Sequence, residues 1–159
     1  MDKLLYLCHR IPYPPNKGDK VRSFQILKEL SRHFAVHLGA FVDDPDDWQH
    51  EAALRGYCAD LHLVPLSPRW ATLRSARGLL TGEPLTLPYY RSPPMARWVR
   101  ETVRREGIGK VLVFSSSMAQ YLDALPERPA RVVVDFVDVD SAKWTAYGAR
   151  KRWPLSTVY

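Results

Sequence analysis

Three short stretches of the chain place together residue types that bind or transform polar ligands. The first is His9 and the run Pro12-Tyr13-Pro14-Pro15-Asn16-Lys17-Gly18-Asp19-Lys20-Val21-Arg22, directly after the first hydrophobic run. Its prolines stiffen the approach. Gly18 can take a positive φ or bring bare backbone close to a ligand, and Asp19 can cap a helix beginning at Lys20. Lys20 and Arg22 then fall in the first helical turn, where the helix dipole disfavours cations by about 0.3 to 1 kcal/mol each. An anion held by the free N–H groups and both cations would compensate; the alternative is that both side chains extend into water. The loop has neither the G-x-G-x-x-G dinucleotide fingerprint nor the G-x-x-x-x-G-K-[ST] phosphate loop.

The second stretch is Ser115-Ser116-Ser117, where one hydroxyl is expected to cap a helix and another, Ser116, to contact a polar ligand. No Gly-x-Ser-x-Gly elbow marks a nucleophile. The third is Val134 to Trp144, with Asp135, Asp138 and Asp140 followed by Lys143. Such crowded carboxylates need water, a cation or donors around them. Asp138-Val139-Asp140 has the Asp-x-Asp form that can hold a divalent metal beside a nucleotide diphosphate, and Asp140 can equally cap a helix. His33 and His37 straddle a helix-to-strand break, so their spacing builds no metal site. His9, at the mouth of the first strand, could contact substrate.

The elements that must position these residues alternate. Apolar runs at 4–8, 35–42, 60–66, 110–114 and 131–137 read as strands. Between them, Val21, Phe24, Leu27, Leu30 and Phe34 repeat at helical spacing, and helices are expected over 46–57, 70–80, 94–106 and 118–125. Nearly unbroken apolar strands imply a sheet covered on both faces. The expectation is an α/β fold: a Rossmann-like open parallel sheet with helices on both faces and right-handed crossovers. In such a sheet ligands bind beyond the strand C-termini near the point where strand order reverses, which is where the first two stretches lie.

Composition bounds the partners. A chain of 159 residues with 46% hydrophobic content can bury one core. No run approaches the roughly 20 apolar residues that span a bilayer, and the N-terminus lacks a signal-peptide pattern, so a cytoplasmic protein is expected. Cys8 and Cys58 lie in hydrophobic stretches and are expected to be reduced and buried. The net charge of +6 is uneven: residues 43–60 carry six acids against Arg55, and 67–110 carry nine Lys/Arg against three acids. One face should therefore be positive. Within it, Trp70, Leu73, Leu80, Arg74 and Arg77 fit either a cationic amphipathic helix at an anionic membrane surface or an ordinary helix with its apolar face in the core. No recognition-helix pattern is visible, and no nucleic acid is expected as a partner.

HRIPYPPNKGDKVRSFQILKEL, LTGEPLTLPYYRS and VDFVDVDSAKW together resemble the N-terminal half of group-1 glycosyltransferases of two-domain GT-B architecture. The sequence looks closest to the sugar transferases associated with bacterial exopolysaccharide and exosortase systems. The resemblance implies an acceptor-side domain over residues 1–159, truncated before a C-terminal domain that would hold the sugar nucleotide. The Glu, seven residues, Glu motif of that second domain is absent. It further implies a metal-independent, retaining transfer from a nucleotide-sugar co-substrate to a polysaccharide or lipid-linked acceptor, with no cofactor, and an isolated chain that is inactive. Asp138 stands where related enzymes carry a histidine beside the reacting sugar and takes the catalytic role. Gly18 lies under the donor diphosphate, and Lys20, Arg22, Lys143, His9 and Ser116 bind donor or acceptor. A free-standing binding module for a phosphorylated ligand or nucleic acid is the alternative.

Overall fold

The computed structural model describes residues 1–76 and 84–137. Five strands, β1 (Asp2–Cys8), β2 (Phe34–Val42), β3 (Asp60–Pro65), β4 (Lys110–Phe114) and β5 (Arg131–Asp135), form one parallel sheet in the order β3-β2-β1-β4-β5. Every pairing in it is parallel, with Leu5 opposite both His37 and Val111 across the central strand. The helices are α1 (Gly18–Leu30), α2 (Glu51–Arg55), α3 (Pro68–Ala76), α4 (Thr86–Tyr89) and α5 (Pro93–Glu106). Two 3-10 turns, Pro45–His50 and Ser116–Tyr121, complete the described elements.

Alternation along the strands divides the core into two layers. Leu4, Tyr6 and Cys8 of β1 join Val36, Leu38 and Ala40 of β2 beneath Phe24 and Leu27 of α1 and Leu54 of α2. Leu5 and Leu7 point the other way, against Ala71 of α3, Met95 and Val99 of α5, and Met118. Each fully buried Leu or Met contributes about 1.5 to 3 kcal/mol of hydrophobic stabilisation, and the one polar group between Leu4 and Cys8, the Tyr6 hydroxyl, donates to the Ser23 carbonyl.

The local signals of α5 explain both its ends. Ser92 Oγ accepts from the Met95 N–H at 3.3 Å, Pro93 and Pro94 occupy the first positions, and Gly107 leaves the helix with φ 63°. Only glycine takes that left-handed conformation without a Cβ penalty.

Four expectations differ in detail. The segment after β2 is a 3-10 turn followed by the short α2, because Asp44 and Pro45 close an Asx-type start at which the Asp44 carboxylate accepts from Asp46 N–H. The expected helix after β4 is a 3-10 turn. Strand β5 ends at Asp135 rather than residue 137, since the Asp135 carboxylate accepts from Val137 N–H and turns the chain into a positive φ of 62° at Val137. Helix α3 starts at Pro68; residues 77–80 of the helix expected there lie outside the described residues.

Candidate binding crevice at the strand switch point

Strand β1 is followed by α1 on one face of the sheet, and β4 by the Ser116–Tyr121 turn on the other. The crevice between the C-terminal ends of β1 and β4 is therefore the topological switch point, the ordinary ligand position of such sheets. His9, the first residue beyond β1, fills its floor. Its ring stacks on Phe114, the last residue of β4, at 5.9 Å and 13°, and meets the Tyr90 ring edge-on at 5.9 Å. Tyr90, just after α4, also packs against Phe41 of β2. The switch point is thus closed by an aromatic cluster from four segments distant in sequence, with Phe41 and Phe114 buried and His9 and Tyr90 partly exposed.

Charged groups rim it. Arg10 donates to Asp19 at 3.0 Å and to Asp43 at 2.8 Å, tying the ends of β1 and β2 to the first turn of α1. His9 Nε2 lies 3.5 Å from the same Asp19 carboxylate. On the β5 side, Arg22 donates to Asp135 at 2.7 Å and sits 6.0 Å from the Phe114 centroid. Burial pushes the His9 pKa below the usual histidine value, although the Asp19 carboxylate pulls it upward. Burial likewise pushes the Tyr90 phenol up to about 12, so it remains a neutral donor. His9 Nδ1 and Asp43 Oδ1 are sealed from solvent without a hydrogen-bond partner at bonding geometry, a costly state.

The structure corrects the expected anion site. Lys20 does not face the loop: its side chain is 2% exposed and its Nζ pairs with Asp47 at 2.5 Å, beneath the 3-10 turn after β2. Asp19 does not cap α1, which begins at Gly18 with Lys17 at the cap position and no side-chain cap bond; Asp19 serves Arg10 instead. Gly107 is the glycine with a left-handed φ among the described residues, so Gly18 does not use that freedom. It does bring bare backbone to open space, with nothing within 4 Å of where a Cβ would stand. Arg22 is half-exposed at the rim, but held by Asp135.

Ser115 sits at the cap position of its turn with φ 88° and makes no side-chain cap bond; its Oγ instead lies 3.0 Å from Ser117 Oγ. Ser116 is half-buried and lines a neighbouring groove of about 630 Å³ with Leu87, Gln120, Asp123 and Val132. Asp138, Asp140, Lys143 and Arg77 lie outside the described residues. Arg10, Asp43, Tyr90 and Phe114 were not singled out from sequence. The first two occupy the position immediately or shortly after a strand C-terminus, which is the signal that marks them.

Among the described residues, no grouping of three or more His, Cys, Asp or Glu side chains could hold a metal ion, and no helix is long and apolar enough to cross a membrane. The fold defines a class: a Rossmann-like α/β domain, whose switch point here carries an aromatic cluster rimmed by ion pairs. Against family models, curated proteins and solved structures, the chain matches none.

Proposed function

We propose that the chain is the acceptor-side domain of a GT-B glycosyltransferase, which moves a sugar from a nucleotide-sugar donor to a polysaccharide or lipid-linked acceptor. One observation carries this reading. The three stretches that bear the resemblance, separated by tens of residues, meet around one crevice: His9 of the first touches Tyr90 of the second, and Arg22 of the first pairs with Asp135 of the third.

The chemistry of the crevice suits a saccharide. The partly exposed His9 and Tyr90 rings offer apolar faces, while Asp19 and Arg10 offer hydrogen bonds to hydroxyls. The cations are already matched by carboxylates, which favours a neutral polar ligand on the floor over a bare anion. Phosphate oxygens of the donor fall to the rim, where Gly18 presents backbone and Arg22 can exchange Asp135 for a diphosphate. Lys20 drops out of this assignment, being committed to Asp47. Asp138 as the group beside the reacting sugar, and Lys143 after it, rest on the resemblance. A retaining, metal-independent transfer belongs to the same proposal.

The test is a titration of the isotope-labelled chain, followed by amide NMR, with nucleotide-diphosphate sugars, neutral oligosaccharides and inorganic phosphate in turn. Saccharide-dependent shifts at His9, Gly18, Arg22 and Ser116 are expected. Silence of these amides toward every saccharide, or equal shifts with inorganic phosphate alone, overturns the reading in favour of a phosphate-binding module.

A further inference from the structure

Helix α3 is turned inside out relative to an ordinary amphipathic helix. Its inward face consists of Ala71, fully buried, and Ser75, while Trp70 is 68% and Leu73 is 61% exposed. Small residues at i and i+4 face inward, where the helix packs on α4, and the bulky apolar pair at i and i+3 is left facing solvent. The backbone and hydroxyl groups of the helix are internally satisfied: Thr72 Oγ1 donates to the Pro68 carbonyl and Ser75 Oγ to that of Ala71. Among the described residues the Trp70 indole N–H has no hydrogen-bond partner. Single exposed apolar residues are ordinary, but adjacent Trp and Leu flanked by Arg69 and Arg74, in a stretch with no acid from Pro65 to Gly82, are a patterned surface.

We propose that this face of α3 docks on an anionic lipid bilayer, with Trp70 and Leu73 inserted at the headgroup level and arginines on the phosphates. Charge complementarity selects the occupant. Exposed Arg97, Arg100 and Arg104 of α5 lie on the same side of the sheet as α3, and with Arg69 and Arg74 they make no ion pair among the described residues. The acidic loop after β2 packs with α1 and α2 on the opposite side, where Asp47 is neutralised by Lys20. A protein partner would call for matched acids and a broader apolar patch. Trp with unpaired arginines is the composition of interfacial helices. Helix α3 packs on α4, whose chain continues into Tyr90, so docking brings the crevice close to the lipid surface. The inference stands on exposure and charge, independently of the glycosyltransferase reading.

The test is co-sedimentation of the full chain with vesicles of phosphatidylcholine alone or mixed with phosphatidylglycerol. Binding to the anionic vesicles is expected, at least about tenfold tighter than to neutral ones, and lost between about 0.1 M and 1 M salt as the Debye length falls from ~10 to ~3 Å. Arg69→Glu/Arg74→Glu and Trp70→Ala/Leu73→Ala should each weaken partition by about tenfold with an unchanged circular dichroism spectrum, since all four side chains are exposed. Salt-insensitive binding to neutral vesicles, anionic binding untouched by both double variants, or retention on single-stranded RNA without vesicle binding would each overturn it. None of these outcomes bears on the saccharide titration, so the two readings fail separately.

Discussion

The imidazole of His9 lies nearly face to face with the ring of Phe114, centroids 5.9 Å apart and planes 13° from parallel, joining the ends of β1 and β4. Stacking on one side and Tyr90 on the other desolvate the imidazole more than Asp19 compensates, so the folded state binds its proton less readily than the unfolded chain. A histidine with a depressed folded pKa costs stability as pH falls through the unfolded value of about 6.5 and toward the folded one. His37 and His62 are shifted the same way, also chiefly by burial. Unfolding free energy should therefore rise from about pH 5 to 7, and His9→Phe should flatten part of that rise. Urea titrations at several pH values measure it, with the His9 ring-proton midpoint by NMR as the direct check. A midpoint above the ordinary value would reverse the sign.

Arg22 and Asp135 are joined at the rim, with the arginine half in solvent. An exposed pair of this kind is worth at most about 1 kcal/mol, so Arg22→Ala should barely move the denaturation midpoint. Its effect should fall on ligand. In the NMR titration, the shifts produced by a nucleotide-diphosphate sugar should require about tenfold more ligand in the variant, whereas those from a neutral oligosaccharide should be unaffected. Equal loss for both ligands would place Arg22 under the sugar rather than the phosphates.

The strands, their alternation with helices and the parallel sheet were legible because each is a local pattern: a five- to nine-residue apolar run has one physical use when both its faces are covered. The position of the crevice followed from the fold alone. What the sequence hid were the partners. The stripe Val21, Phe24, Leu27 suggested the buried face of α1, yet Val21 is 42% exposed, and the inward face is Lys20, Ser23, Phe24 and Leu27. A lysine takes a core position only because Asp47, 27 residues away, brings its carboxylate there, and no local rule encodes that pairing. Asp19 leaves the cap position for a similar reason. As a cap it would act locally; the Arg10 guanidinium captures it across the loop. For α3, the exposure of Trp70 and Leu73 departs from the alternative that put its apolar face in the core, while Arg77 and Leu80 lie outside the described residues.

The thiols of Cys8 and Cys58 should be inert in the folded protein. Cys8 is fully buried and Cys58 half-buried, and burial raises both pKa values, that of Cys58 to about 12. Thiolate is the reactive form, so alkylation by iodoacetamide near pH 8 should modify neither until denaturant is added. Rapid labelling of Cys58 in the native protein would show that its segment opens locally.

Gly39, in the middle of β2, is where α5 comes closest to the sheet. A Cβ there would stand 2.7 Å from the Trp98 ring, 3.0 Å from Met95 Sδ and 3.1 Å from a Leu7 methyl. Trp98 is also fixed, stacked on His62 at 5.0 Å and donating to Asp60 at 3.3 Å, so it yields reluctantly. Gly39→Ala should destabilise by about 1 to 3 kcal/mol in urea unfolding. Adding Trp98→Leu should recover part of the loss if the ring is the obstacle. Simple addition of the two single effects in the double variant would assign the strain to Met95 and Leu7 instead.

The Lys20–Asp47 pair permits a sharper test, because both side chains are nearly sealed from water, at 2% and 7% exposure. Desolvating two charges offsets most of their attraction, so the pair as a whole adds little to stability, while removing one member strands the other. Lys20→Met and Asp47→Leu should each cost about 3 to 5 kcal/mol, and the double variant should cost far less than their sum. The saccharide titration should survive in the double variant, since neither side chain reaches the crevice. If instead the Lys20→Met protein is as stable as the parent but loses phosphate-dependent shifts at Gly18, the lysine swings out to the ligand, and the loop after β1 works as the anion site that its sequence first suggested.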